Sequence, residues 1–178
     1  TFGVESCQFI LAHDFIPKDL EAAYQSLTDN LIEQIGWCYE RAGSVDLIRT
    51  HGDCHIGNIL WADDGPHLVD LDDSRMTPAI QDLWMFLSGD RTDQETTLAR
   101  LLEGYTRFYD FDARQLHLVE ALRTLRLIHY YAWLAQRWTD PAFPRAFPWF
   151  NSQRCWEQHI LDLREQAALM SDPPLNIS

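Results

Sequence analysis

Positive charge, and lysine above all, is scarce in this 178-residue sequence. Lys18 is the only lysine among 14 basic residues, and 27 acidic residues bring the formal net charge to −13. Such a surface repels phosphate backbones and anionic lipids, which argues against nucleic acid and membranes as partners. Long apolar runs are also missing, since no stretch reaches the ~18 residues that cross a bilayer.

Paired cysteines are lacking as well. The four cysteines (Cys7, Cys38, Cys54 and Cys155) do not have the regular spacing of a disulfide framework. We therefore expect a reduced, cytoplasmic protein. Internal repeats and low-complexity segments are absent too, whereas 46% of the residues are hydrophobic and 12% are aromatic. This composition predicts a single domain over residues 1–178, or one lobe of a larger protein.

Helical periodicity dominates the chain. Apolar residues recur at helical spacing from 18 to about 42, where Gly43 is a stop signal, and a helical bundle is expected over 78–172. Between these segments, 45–49 and a hairpin around the turn 63–65 have the pattern of short strands. The expected fold class is mainly α with a small β-hairpin insert (α+β).

Capping motifs divide the expected bundle into separate helices. The helices expected are 78–87, one opened by a capping box at Thr92–Glu95, one from a second box at Asp112–Gln115 to Trp138, and 152–170. Leu98, Leu102 and Phe108 are expected on the inward face of the second of these. The proline-interrupted segment 141–150 is expected to be an ordered aromatic loop.

Two polar clusters lie in the non-helical part of the chain, residues 45–75. The first, HGDCHIGNILW (51–61), carries Asp53 and Asn58 in one loop, and the second begins at Asp70, after the hairpin. Because paired strands lie about 5 Å apart, Asp70 is expected to return beside the other two residues. Three oxygen donors in one cleft suit a hard cation such as Mg²⁺.

The spacing of these residues matches the kinase catalytic loop, H-x-D-x-x-x-x-N followed by a metal-binding aspartate. Here the pattern runs from His51 through Asp53 to Asn58 and is followed by Asp70. In that scheme Asp53 orients and deprotonates the acceptor hydroxyl, while Asn58 and Asp70 hold Mg²⁺ against the phosphates of ATP. Gly52 stands where eukaryotic protein kinases have arginine, which is the pattern of aminoglycoside and choline phosphotransferases.

Longer stretches extend the match. They are RTHGDCHIGNILW (49–61), LVDLDD (68–73), QDLWM (81–85), DPAFP (140–144) and FPW (147–149). Together they resemble bacterial stress-response Ser/Thr kinases of the aminoglycoside/choline phosphotransferase family, which have a protein-kinase-like fold. The resemblance covers essentially the whole chain, but only the C-terminal lobe of that family's length.

The resemblance also implies roles for particular residues. Asp53 and Asp70 would be catalytic, and Asn58 and Asp70 would bind the metal and, through it, the nucleotide. Three further residues would support the site: His51, Asp72 and Asp82. Of these, Asp82 resembles the buried aspartate that ties the catalytic loop to the following helix.

One part of the family's architecture has no counterpart here. The ATP-binding N-terminal lobe, with its phosphate-covering loop and nucleotide-contacting lysine, is not found around Lys18. The expected partners are therefore ATP, a hydroxyl-bearing acceptor and the missing N-terminal lobe, and we expect the chain alone to be inactive. A protein Ser/Thr is the favoured acceptor, while an aminoglycoside, choline or another amino alcohol remains open.

Two other functions fit part of the pattern. His51, Asp53 and His55 form an H-x-D-x-H cluster that would serve a metal-dependent hydrolase, although the other histidines lack supporting spacing. The missing lysine would also fit a non-catalytic pseudokinase lobe. The sequence leaves open the direction of His55, and whether Cys54 is a packing residue or a reactive thiol.

Overall fold

Seven helices and four short strands make up the computed structural model, which describes residues 2–177. The helices are α1 Phe2–Ala12, α2 Lys18–Ala42, α3 Ile80–Leu83, α4 Arg91–Tyr105, α5 Val119–Arg137, α6 Ala142–Ala146 and α7 Gln153–Leu169. The strands are β1 Ile48–Thr50, β2 Ile59–Ala62, β3 Gly65–Leu68 and β4 Arg75–Thr77. The predicted fold class, mainly α with a small β insert, is confirmed. Within 2–177, no helix combines the length and the apolarity that a membrane crossing requires.

The strands form two antiparallel pairs. The predicted hairpin is β2–β3, in which Ile59 lies opposite Leu68 and Ala62 opposite Gly65. The second pair, β1–β4, places Ile48 opposite Thr77. The sequence predicts a strand over 45–49, which the structure places at Ile48–Thr50, but it does not predict the partner β4, which is too short to show a two-residue period. This second pair brings the start of the first polar cluster to the end of the second.

The backbone divides into two compact units. One comprises the chain up to Trp37 together with Glu120–Asp172, and the other comprises Cys38–Val119 together with the residues from Pro173 onward. All of the candidate site residues belong to the second unit, which contains both strand pairs.

Aromatic rings form the core of the first unit. Trp156, Tyr24 and His159 are fully buried, and the His159 ring stacks on Tyr131 with 3.6 Å between ring centroids. Burial lowers the pKa of His159 from its ordinary 6.5 to about 3, since an apolar surrounding disfavours the imidazolium. The core of this unit therefore holds histidine in its neutral form.

The long helices lie close to their predicted bounds, but two predicted helix starts are wrong. Helix α4 begins at Arg91, and its capping box joins Asp90 to Asp93 rather than Thr92 to Glu95. Phe108 lies beyond the end of this helix and is 90% exposed, so its predicted inward position is also wrong.

The second wrong start is that of α5, for which the sequence predicts a capping box at Asp112–Gln115. A 3₁₀ segment, Ala113–Leu118, precedes α5, and Asp112 accepts from the Arg114 N–H. The side chain of Gln115 accepts from the Ile80 N–H at 3.0 Å, so it does not complete a capping box. The aromatic segment 141–150 likewise contains a short helix, α6, instead of being a loop throughout.

Candidate active site

The candidate site is built on the β1–β4 pair. The Thr50 hydroxyl lies 2.8 Å from the Thr77 hydroxyl and donates to the carbonyl of Arg75 at 3.1 Å. These contacts fix the end of β1, where the first polar cluster begins, against the strand that follows the second cluster. The two clusters therefore lie at the same end of the β1–β4 pair, where Thr50 is opposite Arg75.

Asp82, in α3, holds the loop that follows β1 by accepting two backbone hydrogen bonds. Its Oδ2 accepts from the His51 N–H at 2.7 Å and its Oδ1 accepts from the Gly52 N–H at 2.9 Å. The neighbouring Gln81 donates its side-chain N–H to the Gly52 carbonyl at 2.9 Å. Hydrogen bonds to a carboxylate are about twice as strong as neutral ones, so this loop is fixed rigidly to the helix.

Gly52 brings the two clusters into direct contact. Its φ is +87°, and a Cβ built on it would lie 2.1 Å from the carbonyl oxygen of Asp73. No side chain fits such a gap, and L-residues other than glycine rarely adopt this φ. Glycine beside the aspartate is thus a steric requirement of this loop.

His51 is buried and uses both ring nitrogens within the protein. Its Nε2 lies 2.8 Å from the Val69 carbonyl, to which it donates, and its Nδ1 accepts from the Asp53 N–H at 3.4 Å. Neither nitrogen is free to bind a metal, which removes one ligand from the H-x-D-x-H cluster of the hydrolase alternative. In the described chain, no group of three or more His, Cys, Asp or Glu side chains is arranged to hold a metal ion.

Asn58 is tied to Asp53 through the backbone. Its Nδ2 donates to the Asp53 carbonyl at 3.0 Å, which turns Oδ1 of the amide away from that contact. The Asn58 carbonyl in turn accepts from the Val69 N–H at 3.0 Å. Since Val69 also accepts from His51, the residue directly before Asp70 is joined to both ends of the first cluster.

Asp70 has an unusual backbone conformation. Its φ of 63° and ψ of 61° are left-handed, a region that Asp and Asn tolerate better than other non-glycine residues. The residue is exposed and begins a 3₁₀ turn, Leu71–Asp73, in which Asp72 and Asp73 are also exposed.

The structure gives the direction of the His55 ring and the surroundings of the Cys54 thiol, both of which the sequence left open. The Nε2 of His55 lies 3.6 Å from Oδ2 of Asp53, so the ring faces this carboxylate rather than open solvent. Cys54 is buried, and burial, together with the nearby carboxylates of Asp82 and Asp53, raises the pKa of its thiol to about 11. The thiol is therefore protonated at neutral pH and serves as a packing residue.

Comparison with known proteins identifies the family. A model of the phosphotransferase enzyme family (APH) matches residues 15–119, which is more than half of the chain and includes both polar clusters.

The chain belongs to the phosphotransferase enzyme family.

Curated relatives agree with this assignment. Stress response kinase A of Escherichia coli O157:H7 is 46% identical over 163 residues, which cover 92% of this chain and 49% of that protein. Serine/threonine protein kinase RdoA of Salmonella typhimurium is 44% identical over the same number of residues. The chain thus spans about half the length of the relatives it matches. The resemblance to bacterial stress-response kinases, first indicated by the motifs, is confirmed.

Contacts in the structure connect some, but not all, of the residues that the sequence predicts for a phosphotransferase site. Hydrogen bonds connect His51, Asp53, Asn58 and Asp82 around one loop, and Asp70 follows directly on Val69. Asp72 is exposed in the turn after Asp70. The sequence did not indicate Gln81 as a brace, although Gln81 precedes Asp82 within a stretch that carried the resemblance.

Proposed function

We propose that this chain carries the metal-binding and acceptor-activating half of a phosphotransferase site that moves the γ-phosphate of ATP to a hydroxyl group. The observation that carries this proposal is the braced loop holding Asp53 and Asn58 beside the residue that precedes Asp70. Family membership supplies the reaction class, and these residues supply the chemistry that the reaction requires.

Mg²⁺ fits the available donors. The Nδ2 of Asn58 is engaged by a backbone carbonyl, which makes Oδ1 the atom that would bind a metal, and Asp70 contributes an exposed carboxylate. Carboxylate and amide oxygens are ligands that Mg²⁺ accepts while it keeps water and phosphate oxygens in its shell. When bound, the ion would neutralise charge on the phosphates of ATP.

Asp53 is proposed to orient the acceptor and to accept its proton. Its backbone is fixed by three contacts, because its N–H bonds to His51 and its carbonyl accepts from Asn58 and from the His55 N–H. A carboxylate held in this way can take the hydroxyl proton as the oxygen attacks phosphorus. Positioned proton transfer of this kind accelerates reactions by about 10²–10⁴-fold.

The acceptor proposed is a serine or threonine of a protein. This proposal is supported by the names of the relatives, one of which is called a serine/threonine protein kinase. A cationic small molecule, such as an amino alcohol or an aminoglycoside, is the second candidate. The exposed carboxylates of Asp72 and Asp73 beside the site favour it, since they would attract a protonated amine.

A second half of the protein is proposed to supply the remaining contacts to ATP. The relatives are about twice as long as this chain. In the second unit, Ile56 and Trp61 are 80% and 79% exposed, and Leu71 is also largely exposed. Ile56 lies three residues after Asp53 and Leu71 directly follows Asp70, and exposed apolar side chains at such positions suit a surface that another segment covers. We propose that an ATP-binding lobe covers this surface, and that the protein is cytoplasmic.

The proposed function is tested with labelled ATP. The complete gene product would be incubated with γ-labelled ATP, Mg²⁺, a cell extract and a panel of small alcohols, and Asp53→Asn would be compared with Asp63→Asn in the exposed hairpin turn. Transfer should fall by about 10²-fold or more in Asp53→Asn only. Equal turnover by the wild type and Asp53→Asn would contradict the base role. The 178-residue chain alone should transfer no label.

A further inference from the structure

Histidine at position 55 is held in one orientation by its own turn. Its Nδ1 accepts from the Gly57 N–H at 3.0 Å, as the cap of the 3₁₀ turn Ile56–Asn58. Its backbone is also engaged, because its N–H donates to the Asp53 carbonyl at 3.0 Å and its carbonyl accepts from the Asn58 N–H at 2.9 Å. The ring therefore cannot swing away without breaking a hydrogen bond.

The hydrogen bond to Gly57 also fixes the tautomer. A nitrogen that accepts a hydrogen bond carries no proton, so the proton of the neutral ring must be on Nε2. This N–H points to the Asp53 carboxylate, with 3.6 Å between Nε2 and Oδ2. That distance is too long for a formed hydrogen bond. Catalytic hydrogen bonds are often long before substrate binds and shorten afterwards.

Gly57 leaves the space that the ring occupies. A Cβ at this position would lie 2.8 Å from Cε1 and 3.0 Å from Nδ1 of His55. The φ of Gly57 is not in the left-handed region, so backbone conformation does not demand glycine here. Glycine is required at position 57 because any larger side chain would collide with the His55 ring in the orientation that faces Asp53.

We propose that His55 is a positioning residue for phosphoryl transfer, whose Nε2–H holds the Asp53 carboxylate in the direction of the acceptor hydroxyl. This inference rests on the proposed function. The side chain of Asp53 is only 18% exposed, so the nearby His55 ring, which is 41% exposed, faces a carboxylate that is largely withdrawn from solvent.

Steady-state kinetics of the complete gene product test this role. His55→Leu removes the donor and should lower kcat by about ten- to a hundredfold, as loss of a supporting hydrogen bond commonly does. The KM for Mg-ATP should stay within about twofold, because ATP does not depend on this contact. His55→Gln, whose amide N–H can donate, should recover part of kcat. Unchanged kcat in His55→Leu, or no recovery in His55→Gln, would overturn the proposal.

A matched pair of glycine variants separates the ring's position from general damage. Gly57→Ala should lower kcat as His55→Leu does, because its Cβ displaces the ring. Gly104→Ala is the control, since a Cβ there meets nothing within 4 Å. Equal kcat in the two alanine variants would contradict the proposed role of the ring.

A double-mutant cycle distinguishes failure of this inference from failure of the proposed function. If His55 acts through Asp53, adding His55→Leu to Asp53→Asn should change kcat by less than about twofold. A full additional loss would show that His55 acts independently and would overturn the inference. If Asp53→Asn alone keeps wild-type turnover, the proposed function fails. If Asp53→Asn loses turnover and His55→Leu does not, only the role of His55 fails.

Discussion

Replacement of Asp82 is the most informative test of how the loop is held. The two carboxylate oxygens accept from consecutive backbone N–H groups, those of His51 and Gly52, at 2.7 and 2.9 Å. Asp82→Ala leaves both donors without their partner, and His51 is buried, so water cannot replace the lost bonds freely. Asp82→Asn keeps one acceptor oxygen and turns an NH₂ group toward the second N–H.

The expected magnitudes follow from the number of bonds lost. A hydrogen bond to a charged group contributes about 1.5–3 kcal/mol, so the loss of two such bonds in Asp82→Ala should lower the free energy of unfolding by about 3–6 kcal/mol. Asp82→Asn should cost about half of this, because one of two bonds survives. Asp63→Ala, in the exposed hairpin turn, serves as the control and should lie within about 0.5 kcal/mol of the wild type.

Two assays read this effect at different scales. Urea denaturation gives the change in the free energy of unfolding, and amide hydrogen exchange gives the protection of individual N–H groups. The His51 and Gly52 amides should both exchange at least about tenfold faster in Asp82→Ala, while the Val69 amide, which bonds to Asn58, should keep its protection. An Asp82→Ala variant of wild-type stability, with both amides still protected, would refute the brace.

Three further predictions concern other positions. Gly52→Ala should lower the free energy of unfolding by about 2–4 kcal/mol in urea denaturation, because its Cβ meets the Asp73 carbonyl at a positive φ; a change below about 1 kcal/mol would contradict this geometry. Asp70→Ala should cost about 1 kcal/mol in thermal unfolding and Asp70→Gly should cost less, since glycine tolerates left-handed φ; equal losses would argue against backbone strain. Because burial lowers the pKa of His159 from 6.5 to about 3, its contribution to stability is full above pH 6.5 and is lost as the pH falls below 6.5. Between pH 7 and pH 5, the free energy of unfolding should therefore fall by about 2 kcal/mol more in the wild type than in His159→Phe. Identical pH profiles of the two proteins would refute neutral burial of His159.

Much of the fold could be predicted because the long helices carry strong local signals. The apolar spacing from Leu20 to Cys38 and the stop at Gly43 correspond to α2, and the helix predicted over 152–170 corresponds to α7, which Ser152 caps. Local signals failed where two competed within a few residues. Asp90 and Thr92 both suit an N-cap, and the earlier one caps α4.

Tertiary contacts account for the rest of what the sequence could not predict. Gln115 has the sequence position of a capping-box residue, but its side chain bonds to Ile80, 35 residues earlier. The pairing of β1 with β4 likewise depends on contacts between distant segments rather than on periodicity. Phe108 follows the apolar period of α4, yet the helix ends before it, and the side chain is exposed.

The sequence predicts the residue types and spacing of the candidate site, but not its supporting contacts. The roles of Asp53, Asn58 and Asp70 stay predictions, which rest on a pattern that needs those chemical groups at those intervals. The contact between Gly52 and Asp73 arises only when the two clusters are folded against each other, and the direction of His55 depends on how its own turn closes on Asp53 and Gly57. No local sequence signal encodes these distances.

The location of the metal tests the central proposal most directly. Mn²⁺, added to the complete gene product with a non-hydrolysable ATP analogue, broadens NMR signals of nearby amides and serves as a probe for Mg²⁺. The proposal predicts that the Asn58 and Asp70 amides broaden first and that Asp70→Ala abolishes this effect, whereas Asp63→Ala does not. Broadening centred elsewhere in the chain, or unchanged broadening in Asp70→Ala, would contradict a metal held by these residues.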